Sequence, residues 1–129
     1  MEAKLALAPR VLIVDDQPSI RTALRILLDT HCFQVCGEAE DGSEAIEKVL
    51  ALKPDIVILD IKMPRMNGID AAHEIRRISP NTKIIFLSLH DTTIYEKRTR
   101  AFGRLIPKAE AATALIPALK GLAATDGQG

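Results

Sequence analysis

Three aspartates that follow short apolar runs are the residues of this chain best suited to chemistry. Asp15 and Asp16 come directly after Val11–Val14, and Asp60 comes directly after Ile56–Leu59. Open α/β sheets place their chemistry just beyond the carboxyl ends of the strands, so two parallel neighbours would bring these three carboxylates into one crevice. Three negative charges in one place repel one another unless a cation joins them. We therefore predict that Asp15 and Asp16 bind Mg²⁺, a hard cation that prefers oxygen ligands.

Two further polar residues lie at predicted strand ends and would suit phosphoryl transfer in the same crevice. Ser88 ends the run that begins at Lys83, and Lys108 follows the short run Leu105–Ile106 after one proline. Asp60 could act as a nucleophile towards phosphorus and form an acyl phosphate. Mg²⁺ and the Lys108 ammonium would offset charge on the transferring group, and the Ser88 hydroxyl could donate a hydrogen bond to a phosphoryl oxygen. Each residue alone also has an ordinary structural role, so the prediction depends on their joint order.

The elements that must position these residues alternate along the chain. The predicted strands are Val11–Val14, Phe33–Ala39, Ile56–Leu59, Lys83–Ser88 and Leu105–Ile106. The predicted helices are Pro18 to about Thr30, Ser43–Leu52, Ile69–Ile78, Asp91 to about Ala101, and Glu110–Leu122. Within the last helix, Pro117 predicts a kink or an early end. The alternation predicts an α/β fold, a flavodoxin-like, doubly wound, five-stranded parallel sheet of order 2-1-3-4-5 with helices on both faces.

The composition favours one globular domain without a charge bias. Hydrophobic residues make up 47% of the 129 residues, and 17 basic side chains balance 17 acidic ones. This balance gives no basic surface for nucleic acid, and no apolar stretch has the length of a membrane span. Cys32 and Cys36 are too few for a disulfide framework and favour the reducing cytoplasm. We divide the chain into an N-terminal extension at 1–9, one domain at 10–122, and a tail or linker at 123–129.

The order of these motifs resembles the receiver domain of bacterial two-component response regulators. The resemblance runs from about Arg10 to Leu122, and its motifs are Asp15-Asp16, Leu59-Asp60-Ile-Lys-Met-Pro64-x-x-x-Gly68, Leu87-Ser88 and Lys108. The stretches Cys36–Ala39, Asp41-Gly42 and Leu87-Ser88-Leu-His90-Asp91 are similar to those of the LuxR/NarL subgroup.

This resemblance implies a phosphoacceptor switch rather than an enzyme, with at most self-catalysed phosphotransfer and dephosphorylation. Asp60 would accept phosphate from the phosphohistidine of a sensor histidine kinase, and Ser88 and Lys108 would bind the phosphoryl group. The implied Mg²⁺ ligands are Asp16, Asp60 and the backbone carbonyl of Lys62, with Asp15 acting mainly through water. A separate hypothesis, which the resemblance does not supply, is that the cation at Lys62 pairs with the acidic cluster when Mg²⁺ is absent, or that Lys62 obstructs the water that hydrolyses the acyl phosphate. Lys62 and His90 lie two positions after Asp60 and Ser88.

The resemblance also implies the partners. The fourth helix, the fifth strand and the fifth helix would form the responding face, and a homodimer is possible. Members of the subgroup usually carry a C-terminal helix-turn-helix domain, so we expect DNA contact only through a domain absent from these 129 residues. No membrane partner is expected. The alternative is a receiver-like module that binds proteins without phosphorylation.

Three departures from the family pattern concern the segment after Ser88. Ser88 and Lys108 are 20 positions apart, which is shorter than is usual in the family, and this predicts a shortened fourth helix or connecting loop. Arg104 or Leu105 stands where the family often has an aromatic residue in the fifth strand. Pro107 precedes Lys108 here, whereas the family often has the proline after the lysine.

Overall fold

Five strands and five helices alternate in a computed structural model that describes residues 8–89 and 92–128. The elements are β1 Arg10–Val14, α1 Pro18–Thr30, β2 Gln34–Ala39, α2 Gly42–Leu52, β3 Ile56–Asp60, α3 Gly68–Ile78, β4 Lys83–Ser88, α4 Glu96–Thr99, β5 Gly103–Pro107 and α5 Ala111–Gln128. Single 3₁₀ turns cover Thr92–Ile94 and Lys108–Glu110. The sequence motif at His90 and Asp91, and most of the N-terminal extension, lie outside the described residues.

The strands form one parallel sheet in the order β2-β1-β3-β4-β5, which confirms the predicted fold. β1 and β3 are hydrogen-bonded neighbours, with Val14 paired to Leu59. β4 follows on the other side of β3, with Asp60 paired to Leu87. The carboxyl ends of β1 and β3 are therefore adjacent, which is the arrangement needed to bring the three aspartates into one crevice.

The apolar runs of β1 and β3 are buried on both faces of the sheet, which is the usual environment of parallel strands. Successive side chains alternate between two cores. Leu12, Val14, Val57 and Leu59 pack with α2 and α3 on one face. Val11, Ile13, Ile56 and Ile58 pack with α1 and α5 on the other. The prediction of helices on both faces is thus confirmed. No helix in the described ranges has the length and apolar character needed to cross a membrane.

The helix between β4 and β5 is shorter than the predicted one. In place of a helix from Asp91 to about Ala101, a 3₁₀ turn is followed by the four-residue helix α4. The Thr99 hydroxyl donates to the Tyr95 carbonyl at 3.1 Å, a local hydrogen bond of the kind that weakens helices. The expected shortening of this segment is confirmed, and the expected helix boundaries are wrong.

β5 is longer than predicted, because Gly103 and Arg104 belong to the strand although their composition resembles a loop. Gly103 pairs with Ile84 across the sheet, and a Cβ at position 103 would overlap the Ile84 carbonyl oxygen. Only glycine lets the two backbones come this close. At the far end of β5, the peptide bonds on both sides of Pro107 are trans.

α5 continues through Pro117 to Gln128, so of the predicted kink or early end at Pro117 the early end is wrong. Pro117 lacks the N–H that would bond to the Thr113 carbonyl, but both residues are exposed and water can satisfy that oxygen. The residues from 123 to 128, whose composition suggested a tail or linker, are helical as well.

Candidate functional site

The three predicted aspartates meet at the carboxyl edge of the sheet. Asp60 is the last residue of β3 and is 5% exposed, while Asp15 directly follows β1 and is 1% exposed. Asp16 is the next residue and is exposed to solvent. One carboxylate oxygen from each aspartate lies within 4.8 Å of the other two. The structure therefore brings together the acidic cluster that the strand ends predict.

Lys108 reaches this cluster from the other side. It directly follows β5, and its side chain is 7% exposed. Its Nζ lies 2.7 Å from Asp15 Oδ2 and 3.4 Å from Asp60 Oδ2. Because the ammonium and both carboxylates are buried, their attraction is little screened by water or salt. The prediction that Lys108 lies in the crevice is confirmed.

A cleft of about 170 Å³ opens above the buried carboxylates. Its lining residues are Asp16, Gln17, Asp60, Lys62, Ser88, Leu89 and Lys108. Ser88 ends β4 and is 2% exposed, and it pairs across the sheet with Pro107, the residue before Lys108. Lys62 is exposed at the rim. All the residues predicted for the site therefore border this cleft or, in the case of Asp15, contact Lys108 beneath it.

Burial raises the pKa of Asp60 to about 7, and repulsion from Asp15 and Asp16 acts in the same direction. Lys108 lowers this pKa by charge and hydrogen bonding without cancelling the rise. Burial and the neighbouring carboxylates thus disfavour the charged form of Asp60 more than the one lysine favours it.

The donor set fits a hard divalent cation. All the candidate ligands are oxygens, which is the preference of Mg²⁺ and Ca²⁺. Asp15 Oδ2 is buried and no hydrogen-bond donor is aligned with it, since its contact with Lys108 is ionic and outside hydrogen-bond geometry. The Lys108 ammonium offsets one of the three carboxylate charges, which leaves negative charge that a divalent cation would neutralise.

Gly68 allows α3 to begin directly against the end of β3. Its N–H donates to the Ile61 carbonyl at 2.8 Å, and a Cβ at position 68 would overlap the Asp60 carbonyl oxygen. The side chain of Asn67 caps the helix by accepting from the Asp70 N–H at 2.9 Å. The loop that contains Lys62 is thus closed tightly beside Asp60.

Arg21 contributes to the site and was missed from sequence. Its Nη1 donates to the Asp15 carbonyl at 2.7 Å, and its Nε donates to Glu38 on β2 at 2.9 Å. Burial would raise the pKa of Glu38, but the hydrogen bonds from Arg25 and Arg21 outweigh it and lower the pKa. The available sequence signal for these contacts was the spacing of Arg21 and Arg25, one helical turn apart, together with the acidic Glu38 on the next predicted strand.

Arg65 was also missed from sequence, because its partner is distant along the chain. Its backbone is left-handed with φ of 65°, and its Nε donates to Asp41 Oδ2 at 2.6 Å. Asp41 also caps α2 by accepting from the Glu44 N–H at 2.8 Å. The Gly42 N–H donates to the Met66 carbonyl at 3.1 Å. These bonds attach the loop between β3 and α3 to the start of α2.

Residues 11–120 match the family model described as the response regulator receiver domain, so the chain belongs to this family. Its members are signalling switches of two-component systems rather than classical enzymes. The chemotaxis protein CheY of Thermotoga maritima is 54% identical over 79 residues, which are 61% of this chain and 66% of that protein. The transcriptional regulatory protein PdtaR of Mycobacterium tuberculosis is 40% identical over 121 residues, which are 92% of this chain and 58% of that protein. The chain therefore spans less than two thirds of the length of these relatives.

Solved structures agree with the family assignment. A two-component response regulator of the LuxR family from Aurantimonas sp. has a TM-score of 0.84 at 27% identity, covering 91% of this chain and 86% of that one. The response regulator TrrA of Thermotoga maritima, solved in complex with Mg²⁺ and BeF, has a TM-score of 0.81 at 33% identity, covering 88% of this chain and 98% of that one.

Proposed function

We propose that this chain is a phosphoacceptor domain in which Asp60 takes phosphate from a sensor histidine kinase. The observation that carries the proposal is the position of Asp60, at the end of β3 beside Asp15 and Lys108 and on the wall of an open cleft. Asp60 is thus reachable by a phosphoryl donor while its neighbours are buried and fixed.

The proposed reaction is one displacement at phosphorus. A carboxylate oxygen of Asp60 attacks the phosphorus of the phosphohistidine, and an O–P bond forms. The N–P bond breaks, and its electron pair returns to the imidazole of the kinase. Lys108, held beside Asp60, would stabilise the charge on the transferred phosphoryl group, and the Ser88 hydroxyl would donate to one of its oxygens. Water hydrolyses the acyl phosphate later, and this chain would need no other catalyst for either step.

Mg²⁺ is the proposed cofactor, held by Asp15, Asp16, Asp60 and the backbone carbonyl of Lys62. When bound, it supplies the positive charge that a site with three carboxylates and one lysine lacks. The oxygen-only donor set supports this, and so does the Mg²⁺ in the structure of the similar TrrA.

The proposed output is regulation through a partner-binding face formed by α4, β5 and α5, in the cytoplasm. The LuxR-family neighbour supports placement in the LuxR/NarL subgroup, and the similarity to PdtaR supports a transcriptional output. DNA would then be bound by a separate helix-turn-helix domain outside these residues, and the chain itself could form a homodimer. We keep the domain bounds at 10–122, although α5 extends further.

The test is phosphorylation by acetyl phosphate with Mg²⁺, followed by intact mass measurement. The wild type should gain one phosphoryl group, and Asp60→Ala should gain none. Asp29→Asn, which changes an exposed aspartate at the end of α1, is the matched control and should be labelled like the wild type. Equal labelling of Asp60→Ala and the wild type would refute the assignment.

A receiver that binds partners without phosphorylation is the second candidate. The four-residue α4 favours it, and so does β5, where Arg104 or Leu105 stands in place of the aromatic common in the family. Partner affinity measured with and without acetyl phosphate separates the candidates. Affinity that does not respond to phosphorylation would support the second.

A further inference from the structure

A second cleft, of about 380 Å³, lies at the amino-terminal ends of β4 and β5, whereas Asp60 lies at the carboxyl end of its strand. It is bordered by the first residues of β4 and β5, the end of α3 and the middle of α5. A strand rises about 3.3 Å per residue, so this end is roughly 16 Å along β4 from Ser88. The cleft is therefore separate from the acidic site.

Three cations line this cleft, and none of the described residues that line it is acidic. Arg76 comes from α3, Lys83 from β4 and Arg104 from β5. None of the three takes part in the ion pairs found within 8–89 and 92–128. Basic and acidic residues are equal in number over the whole chain, so this concentration of positive charge does not follow from composition.

The guanidinium of Arg76 is already fixed in place. Its Nη2 donates to the Phe102 carbonyl at 2.9 Å, and its Cζ lies 5.6 Å from the centre of the Phe102 ring. Its Nη1 donates to the Ala101 carbonyl at 3.4 Å, and its Nε is buried. Each Nη keeps one further N–H, and a planar cation held in one orientation is suited to a carboxylate or a phosphate.

The rest of the lining is apolar and includes a glycine that packing does not explain. Phe102, Ala118 and Leu122 supply apolar surface. Gly121 lies inside α5, where glycine is less favourable than alanine. A Cβ at position 121 would meet no atom within 4 Å. The missing side chain therefore leaves space in the cleft rather than avoiding a clash.

We propose that this cleft binds a small organic anion. Its carboxylate or phosphate pairs with Arg76, Lys83 and Arg104, and its aromatic or aliphatic body packs against Phe102 and Leu122. The volume is within the range of small-molecule sites, which are mostly apolar with a few polar groups that fix the ligand. The proposal does not depend on phosphorylation of Asp60.

The test is an NMR titration of the full chain, without Mg²⁺, with phenyl phosphate, phenylacetate and benzyl alcohol. The amide signals of Gly103 and Gly121 report on the cleft, and those of Gly42 and Gly68 report on the acidic side of the sheet. At least one anion should give saturable shifts at Gly103 and Gly121, and benzyl alcohol should bind at least about tenfold more weakly. If phenyl phosphate binds more tightly than phenylacetate, the site prefers a phosphate ester, and the reverse order indicates a carboxylate ligand. The tighter of the two is called the better anion below.

Arg104→Gln and Lys83→Gln test the charges, and both change residues at strand starts that are not fully buried. Each should weaken binding of the better anion about tenfold. Arg77→Gln is the matched control, because Arg77 is exposed, pairs with Glu74 and does not line the cleft. Its affinity should equal that of the wild type. Equal binding of benzyl alcohol, shifts confined to Gly42 and Gly68, or unchanged affinity in both test variants would overturn the proposal.

Discussion

Lys62 lies at the rim of the acidic cleft, two residues after Asp60. It is exposed, and it takes part in none of the ion pairs between described residues, whereas Lys108 contacts both buried aspartates. The hypothesis that Lys62 pairs with the acidic cluster is therefore wrong for this structure. The hypothesis that Lys62 restricts the approach of water to the acyl phosphate is compatible with its position.

We predict that Lys62→Ala loses phosphate from Asp60 several-fold faster than the wild type, because a long side chain at the rim is removed. The measurement is the half-life of the phosphorylated form after removal of acetyl phosphate, and intact mass spectrometry monitors the decay. Lys120→Ala removes an exposed lysine of α5 that does not line the cleft and is the control. An unchanged half-life for Lys62→Ala would contradict the hypothesis that Lys62 obstructs the hydrolytic water.

At the scale of elements, the loop between β3 and α3 is attached to the start of α2 through Asp41. This carboxylate accepts from the Glu44 N–H and from the Arg65 guanidinium, and it is 4% exposed. The Glu44 N–H, followed by Arg65, keeps the pKa of Asp41 below its usual value although burial opposes this. One side chain therefore serves as a helix cap and as an anchor for the loop that contains Lys62.

We predict that Asp41→Ala lowers the free energy of unfolding by about 1–2 kcal/mol at pH 7, since it removes a helix cap and leaves Arg65 without its partner. Urea unfolding measures the change. Asp41→Asn can still cap α2 but cannot form the ion pair, so it should lose less. A loss in Asp41→Asn equal to that in Asp41→Ala would contradict the capping role.

The pH dependence of this contribution has a definite sign. The pKa of Asp41 is lower in the folded state than in the unfolded state, so its ionised form favours folding. The contribution is complete above the unfolded pKa of about 3.9 and declines as pH falls through the lower folded pKa. The difference in unfolding free energy between the wild type and Asp41→Asn should therefore be constant from pH 7 to about 5 and shrink below pH 4.

The residues of the acidic site were predictable because strand ends are local signals, and the strand order followed from the alternation of strands and helices, which favours the doubly wound arrangement. Each of Asp15, Asp60 and Ser88 ends or follows a buried apolar run, and parallel strands align such ends. The length of β5 depended on the approach of Gly103 to Ile84, which no local pattern reveals. The contacts of Arg21 with Glu38 and of Arg65 with Asp41 depend on how distant elements pack, so they were missed.

At the scale of the whole molecule, three carboxylates with one lysine oppose folding until a cation joins them. A ligand that binds only the folded state adds RT ln(1 + [L]/Kd) to the free energy of unfolding. At ten times its Kd, Mg²⁺ adds about 1.4 kcal/mol, which corresponds to a rise in Tm of roughly 4–6 °C. Asp16 is exposed, so its replacement should leave the fold intact.

We predict that Mg²⁺ raises the Tm of the wild type by this amount and has little effect on Asp16→Asn. Differential scanning calorimetry with and without Mg²⁺ measures both. Asp29→Asn, away from the site, should respond like the wild type. A rise in Tm of the same size in Asp16→Asn would place the bound cation elsewhere on the protein.

The pairing of β1 with β3 also governs when the site can form as the chain folds. The other pairings in the sheet join strands that follow one another in sequence, whereas β1 and β3 are separated by α1, β2 and α2. Closing this longest loop has the highest entropic cost and tends to come late. It is also the step that drives Asp15 and Asp16 against Asp60. Repulsion among these carboxylates should therefore slow folding itself, and neutralising one of them should accelerate it.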